Sequence, residues 1–372
     1  MAGPGIRHFH MGCHNGRFWL RAIAAAIALA VGSAVTAGAQ AVITVNEDVN
    51  FKVGVLGQFQ ADWLEGAGTE EAPNLFIRRV RLLVGGQIAR NVSFFVETDA
   101  PNLGKKLADG KSITPQLVVQ DAYGEFRLRD WLLVDAGLML VPFSRNSVQS
   151  AATLLAIDYG PYSFAQSVPT QCTAGRDTGI QARGHFLGSR IEYRVGAFQG
   201  AHRPDLEPSA RFIGRVQYQF LETEGTGFFY AGSHLGTKRV AALGAGFDVQ
   251  GDYRAQVVEF FLDHPLGPGS LTAQLAYNHF DGGSTLPSLP DQEVVLVETG
   301  YFLPRLKLTP VLQFTRRDGA TGTLADETRW SAGLNYWWQR HNANVKAAYG
   351  RIDGAGGARR GEFTVQLQLF YY

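Results

Sequence analysis

Arginines at short, even spacing are the first pattern in this chain that could do chemistry. Arg79 and Arg81 lie two residues apart, and Arg211 and Arg215 four apart. In an extended chain, even spacing puts both guanidiniums on one face. A guanidinium fork suits phosphate or carboxylate, whether that group belongs to a solute or to a neighbouring strand. For Arg79 and Arg81 the internal partners on offer are Asp121 and Glu97; for Arg211 and Arg215 it is Glu192. Arg145 stands in a long polar segment and is the best candidate for a solute-facing cation carried on a loop. Enzymatic patterns are weak beside these. The histidines His185, His202, His234, His264, His279 and His341 are scattered, with no i, i+4 pair for a metal. Neither a G-x-S-x-G elbow nor a Walker-type phosphate loop occurs. Gly244-Ala245-Gly246 opens no helix, so it is no dinucleotide site, and no motif calls for a cofactor.

The elements that must hold these arginines read as strands. Phe51 to Trp63 sets Phe51, Val53, Val55, Phe59 and Trp63 against Lys52, Gln58, Gln60 and Asp62. Phe76 to Ile88 sets Val80, Leu82, Val84 and Ile88 against Arg79, Arg81 and Gln87. The same period of two returns in Arg190 to Gly200, Ala210 to Phe220 and Asn342 to Gly350. It returns last in Glu362 to Tyr372, where the chain stops on aromatics. Glycine is frequent at 44 of 372 residues and aromatics make up 12%, as many strands and turns require.

Ionised groups in mid-strand suit either a soluble sandwich or a barrel with a wet interior. Connection lengths decide. Tight links at 90–91, 129–130, 187–189, 304–305 and 339–341 alternate with long polar ones at 64–74, 100–115, 141–176, 201–209, 281–291, 318–327 and 353–361. Short turns at one rim and long loops at the other describe an outer-membrane barrel. The count is about sixteen antiparallel up-and-down strands, even only if 221–238 is an irregular connection at the short-turn rim. A barrel of that size leaves an aqueous lumen. The expected lumen cations are Lys52, Arg79, Arg81, Arg127, Arg183, Arg194, Arg211, Arg215 and Lys346. Asp62, Glu97, Asp121, Glu125, Asp135, Asp177, Glu192, Glu259 and Glu298 oppose them, so the lumen is balanced in charge. Trp63, Trp131, Trp330, Tyr336, Trp337, Trp338, Tyr371 and Tyr372 are expected at the membrane interfaces.

The N-terminus points to export. Arg7, Arg17 and Arg21 precede an apolar run from Ala22 to Val35, followed by A-x-A sites at 37–39 and 39–41. This is a signal peptide over 1–41, cleaved near 39–41, with an apolar core of about 14 residues, short of the ~20 that span a bilayer as a helix. Its loss removes three arginines and no acids, taking the formal charge from +1 to −2. A near-neutral chain is no general nucleic-acid binder. A mean hydropathy of −0.06 together with the lack of a second long apolar run excludes a helical membrane protein. Residues 42–372 read as one barrel domain. Cys172 is its only cysteine, so no intrachain disulfide is expected.

The segment 141–176 follows the fifth strand. A structureless stretch this long is usually functional, and folded into the lumen it would be a constriction loop. Here the sequence resembles a known group. Phe76-Ile77-Arg78-Arg79-Val80-Arg81 is similar to the early Arg-Arg strand of phosphate-selective porins of the O/P type. Gln120-Asp121-Ala122-Tyr123 resembles their fourth strand, Gly137 to Phe143 their approach to the third loop, and Arg176-Asp177-Thr178-Gly179-Ile180 their exit from it. The resemblance implies a sixteen-stranded trimeric outer-membrane porin with a constricting third loop. The family is known for lysine- and arginine-rich pores. This third loop holds only Arg145 and the terminal Arg176, so the resemblance supports "porin" more than "phosphate". The expected function is passive diffusion of small hydrophilic solutes, anions such as phosphate among them. The alternatives are a non-conducting barrel used as an adhesin or structural protein, and an outer-membrane hydrolase. Expected partners are outer-membrane lipid, two further copies of the chain, and the barrel-assembly machinery through the C-terminal aromatic strand.

Overall fold

The computed structural model describes residues 41–65, 73–107, 110–113, 116–225, 227–320, 324–354 and 359–372. The expected leader lies outside them, apart from Ala41. Sixteen strands form one closed antiparallel ring. They are β2 (Asn50–Leu64), β3 (Asn74–Ala89), β4 (Val92–Asp99), β7 (Val118–Arg129), β8 (Leu132–Leu140), β9 (Arg176–Phe186), β10 (Ile191–Phe198) and β11 (Arg211–Gln219). The ring continues with β12 (Val240–Gln250), β13 (Tyr253–Leu266), β14 (Gly269–Asp281), β15 (Gln292–Phe302), β16 (Leu308–Gly319), β17 (Glu327–Tyr336), β18 (Ala343–Asp353) and β19 (Arg359–Tyr371). It closes where β19 pairs with β2, Gln366 opposite Gln60 and Leu367 opposite Phe59. A short β1 (Ala41–Thr44) also lines β2, and β5 (Lys106–Leu107) with β6 (Gly110–Lys111) makes a small hairpin in the β4–β7 loop.

The alternation sets the inside and the outside. Leu82 is 47% exposed and Leu369 45%, whereas Arg81 is 6% exposed and Gln366 is fully buried. Apolar side chains face outward and polar ones inward, the reverse of a soluble domain and the arrangement a lipid-embedded barrel needs. Among the described residues no helix is long and apolar enough to cross a membrane; strands do the crossing.

Two β-bulges change which residues face in. Gln58 pairs with Arg79 but Phe59 pairs with Ile77, leaving Arg78 as the extra residue of β3. Inward parity therefore slips, and Arg78 and Arg79 both reach the lumen, a re-aiming that bulges commonly perform. Glu97 pairs with Asp121 and Thr98 with Val119, so Gln120 and Asp121 are likewise both buried.

Connection lengths follow the expected rhythm, including the long irregular β11–β12 link, 220–239, at the short-turn rim; the departure is on the other side of β12. The β12–β13 link is a two-residue turn, Gly251-Asp252, at the long-loop rim. Gly251 adopts φ +57, a left-handed conformation that such a turn requires.

Two aromatics leave the expected girdle. Trp337 is buried, with Nε1 donating to Thr309 Oγ1 at 2.8 Å. Tyr372 turns into the lumen, its ring 5.8 Å from Phe95 and 4.1 Å from Lys52 Nζ. Trp131 and Trp330 stay exposed on the outer surface.

Candidate functional site

The third loop, 141–175, enters the barrel and runs along the inner wall. One helical turn, α1 (Arg145–Val148), opens it. Ser144 caps it by accepting from Ser147 N at 3.1 Å, and the Glu259 carboxylate of β13 accepts from Arg145 N at 2.7 Å. Both satisfy amides that a helix start leaves open. Wall side chains then bond the loop directly. Gln149 Nε2 donates to Gln274 at 2.8 Å. Gln58 and Gln368 donate to the carbonyls of Ala151 and Ala152, at 3.1 and 2.8 Å. Lys346 Nζ donates to Leu154 O and Ala156 O, at 2.6 and 2.9 Å, and Asn335 to Leu155 O at 2.7 Å. The inward polar parity thus serves as hydrogen-bond donors for an irregular backbone that the lumen could not otherwise accommodate.

Asp158 ends this run by clamping β3. Arg79 Nη2 lies 2.6 Å from it and Arg78 Nη2 2.8 Å. Withdrawal from bulk water pushes the Asp158 carboxyl up, but Arg79 and Arg78 outweigh that and hold it well below the usual carboxylate range. Further round the wall, arginines alternate with acids. Arg81 bonds Glu97 at 2.7 Å and Asp99 at 2.9 Å; Arg176 bonds Asp121 at 3.1 Å. Arg183 bonds Asp135 at 2.8 Å and also pairs with Glu125. Arg211 bonds Asp248 at 2.5 Å and Asp177 at 3.1 Å, and Arg215 bonds Glu259 at 2.5 Å.

Several expectations are corrected by these contacts. Arg79 pairs with loop Asp158 rather than with Asp121 or Glu97. Arg211 and Arg215 take Asp248, Asp177 and Glu259, while Glu192 is held by Arg194 at 2.8 Å. Arg145 does not face open lumen. It is 1% exposed, makes two 2.6 Å bonds to Glu224, and stacks 3.6 Å over the Phe261 ring. Glu224 comes from the β11–β12 link, expected as an irregular connection at the short-turn rim and here turned into the lumen. Burial pushes the Glu224 carboxyl up, but Arg145 and His234 more than offset this and keep it ionised well below the usual range. Arg127 sits exposed at the rim end of β7.

Space remains on the β2, β3 and β16–β19 side as an open cavity of about 580 Å³. Basic side chains lining it are Arg78, Arg79, Arg81, Lys105, Arg176, Arg329 and Arg351; acidic ones are Asp62, Asp99, Asp158 and Glu362. The lining itself carries seven cations against four anions, with Glu97, Asp121, Glu327 and Asp353 set behind it as partners of Arg81, Arg176, Arg329 and Arg351. The sequence reading missed Arg78, Lys105, Arg329, Arg351, Asp99 and Asp158. The Arg78-Arg79 pair breaking a period of two was the one signal for a bulge there.

A family model described as phosphate-selective porin O and P matches residues 53–249. The chain belongs to that family. Among curated proteins no sequence match is found. Solved barrels share the fold at low identity. OmpF of Salmonella typhi has a TM-score of 0.57 at 12% identity, over 88% of this chain and 99% of that one. OmpT of Vibrio cholerae, in its trimer form, has 0.54 at 12%, over 87% and 100%. An anion-selective porin from Comamonas acidovorans has 0.54 at 11%, over 87% and 100%. The protein is an outer-membrane porin, a passive diffusion channel that crosses the membrane through all sixteen strands.

Proposed function

We propose that this porin passes small anionic solutes, entering through the 580 Å³ cavity, and that 141–176 is its constriction loop. The observation that carries this reading is the cationic lining of that cavity, with Arg78 and Arg79 brought together by the β3 bulge. A low-dielectric wall with a surplus of one sign raises the local concentration of the opposite ion. The surplus is modest, because acids stand behind the arginines, so the bias is a preference and not an absolute filter. The working form we infer is a homotrimer in outer-membrane lipid, in keeping with the family and with the trimer form of a barrel of the same fold. The C-terminal strand, ending on Tyr371 and Tyr372, would be the segment offered to the barrel-assembly machinery.

Planar-bilayer recording of the purified protein tests this. Discrete channel steps and a zero-current potential on the anion side of a potassium chloride gradient are expected. Cation selectivity would refute the anion assignment, and silence at every voltage would favour a non-conducting barrel.

A further inference from the structure

One step along the wall from the cationic cavity, the lumen is packed with aromatic side chains. One inward step from Arg81 and Glu97 toward the short-turn rim, the wall presents Leu83, Phe95 and Tyr123, with Leu56 beside them; Phe95 and Tyr123 face each other across β4 and β7. The β11–β12 link reaches up from that rim to meet them. Phe228 lies 4.7 Å from the Tyr123 ring and Phe229 5.8 Å from the Phe95 ring. Tyr372 covers Phe95 from another side. The third loop supplies Ala151 and Ala152, and all these side chains pack as one cluster. Phe95, Tyr123 and Phe228 are each no more than 8% exposed.

The insert is held in place. Tyr230 N donates to Val148 O at 3.1 Å and Ser150 N to Tyr230 O at 2.9 Å, joining it to the third loop as a short parallel bridge. The Arg145–Glu224 pair ties its other end. Cations surround this floor: Arg81 and Arg176 above, Arg183 and Arg194 each 5.6 Å from the Phe228 ring at its side, and Lys52 below, four residues along β2 from Leu56. At 3.3–3.4 Å per residue that interval is roughly 13 Å.

We propose that the aromatic floor is the selectivity barrier of this porin, and that its preferred permeants are organic anions carrying an aromatic ring beside the charged group. The proposal rests on the anion reading above and deepens it. A compact hydrated ion such as inorganic phosphate must shed water where the floor offers it apolar surface, the situation in which hydrophobic constrictions hold back ions. A ring can instead part Phe228 and Phe229 from Phe95 and stack in their place, since aromatic pairs favour such offset contacts. Its carboxylate rests at Arg81 and Arg176 meanwhile, then passes to Lys52 once the ring has crossed. No covalent step is involved.

Bi-ionic reversal potentials in planar bilayers decide the matter, with sodium benzoate on one side and sodium phosphate on the other at equal ionic strength. Benzoate permeability about tenfold above that of phosphate is expected. Phe228→Ala/Phe229→Ala should bring the ratio toward one by raising phosphate permeability. A wild-type ratio at or below one overturns the proposal, as does a high ratio that the double variant leaves unchanged. Should the double variant fail to fold, the wild-type ratio alone decides. Sodium permeating better than both anions would instead overturn the anion reading itself, so the two failures are distinguishable.

Discussion

At the scale of single residues, Asp158 shows how a loop is fastened inside a wet lumen. Its carboxylate bridges two consecutive arginines of β3 and accepts Tyr159 N at 2.9 Å. Because its folded pKa lies below the ordinary value of ~3.9, the clamp's contribution is complete above that value and is lost only as pH falls through the lower folded one. Open-channel noise should therefore stay flat from pH 7 to pH 4. Asp158→Asn should raise that noise at pH 7 and cost about 1.5–3 kcal/mol of stability, the range for a hydrogen bond to a charged group. A noise transition centred between pH 4 and 5 in the wild type would contradict the clamp. Period two puts Arg79 and Arg81 on one face from local information alone, and both are buried inside the barrel. It could not supply Asp158, because an ion pair across 79 positions depends on the path of an irregular loop. Arg145 was misjudged for the same reason: its partner Glu224 arrives from a link whose inward course no periodicity encodes.

At the scale of elements, the strands were legible and the connections less so. Strands such as β13 and β15 bury one parity and expose the other along most of their length, so register and facing follow there from the alternation. The bulge at Arg78 and the tight Gly251-Asp252 turn were not read, since each displaces the pattern by one residue or inverts the rim rhythm. One glycine of β12 has a role that alternation does not convey. A Cβ on Gly246 would stand 2.3 Å from Phe143 O, at the base of the third loop. Neither backbone can yield without moving the loop, so glycine here permits close approach. Gly246→Val should leave the barrel able to form, valine being at home in strands, while displacing the loop base at a cost of about 1–3 kcal/mol. Gly350→Ala is the control, because its nearest neighbour stands at an ordinary 3.5 Å. Urea unfolding in detergent should separate the two; equal stability would mean the loop does not bear on β12.

For the whole molecule, one physical asymmetry organises everything else: the outer surface of the ring is greasy and the inner surface polar. Leu82 sits at the middle of β3, opposite Val55 on β2 and Thr98 on β4. Ile88 lies on the same outward face six residues on, beside the turn at 90–91, and is 50% exposed. At 3.3–3.4 Å per residue they are roughly 20 Å apart along the strand, which takes one to the bilayer midplane and the other to its edge. An arginine facing lipid costs about 2–4 kcal/mol at the midplane and about 0–1 near an interface. Leu82→Arg should therefore reduce folding free energy in lipid vesicles by about 2–4 kcal/mol, and Ile88→Arg by no more than about 1. Reversible urea titration, followed by tryptophan fluorescence in phosphatidylcholine vesicles, reads both. A soluble sandwich makes no such distinction by depth, because two exposed positions on one strand would tolerate arginine alike. Equal costs at the two positions would thus count against the membrane band itself, and with it against the route by which any solute reaches Arg78 and Arg79.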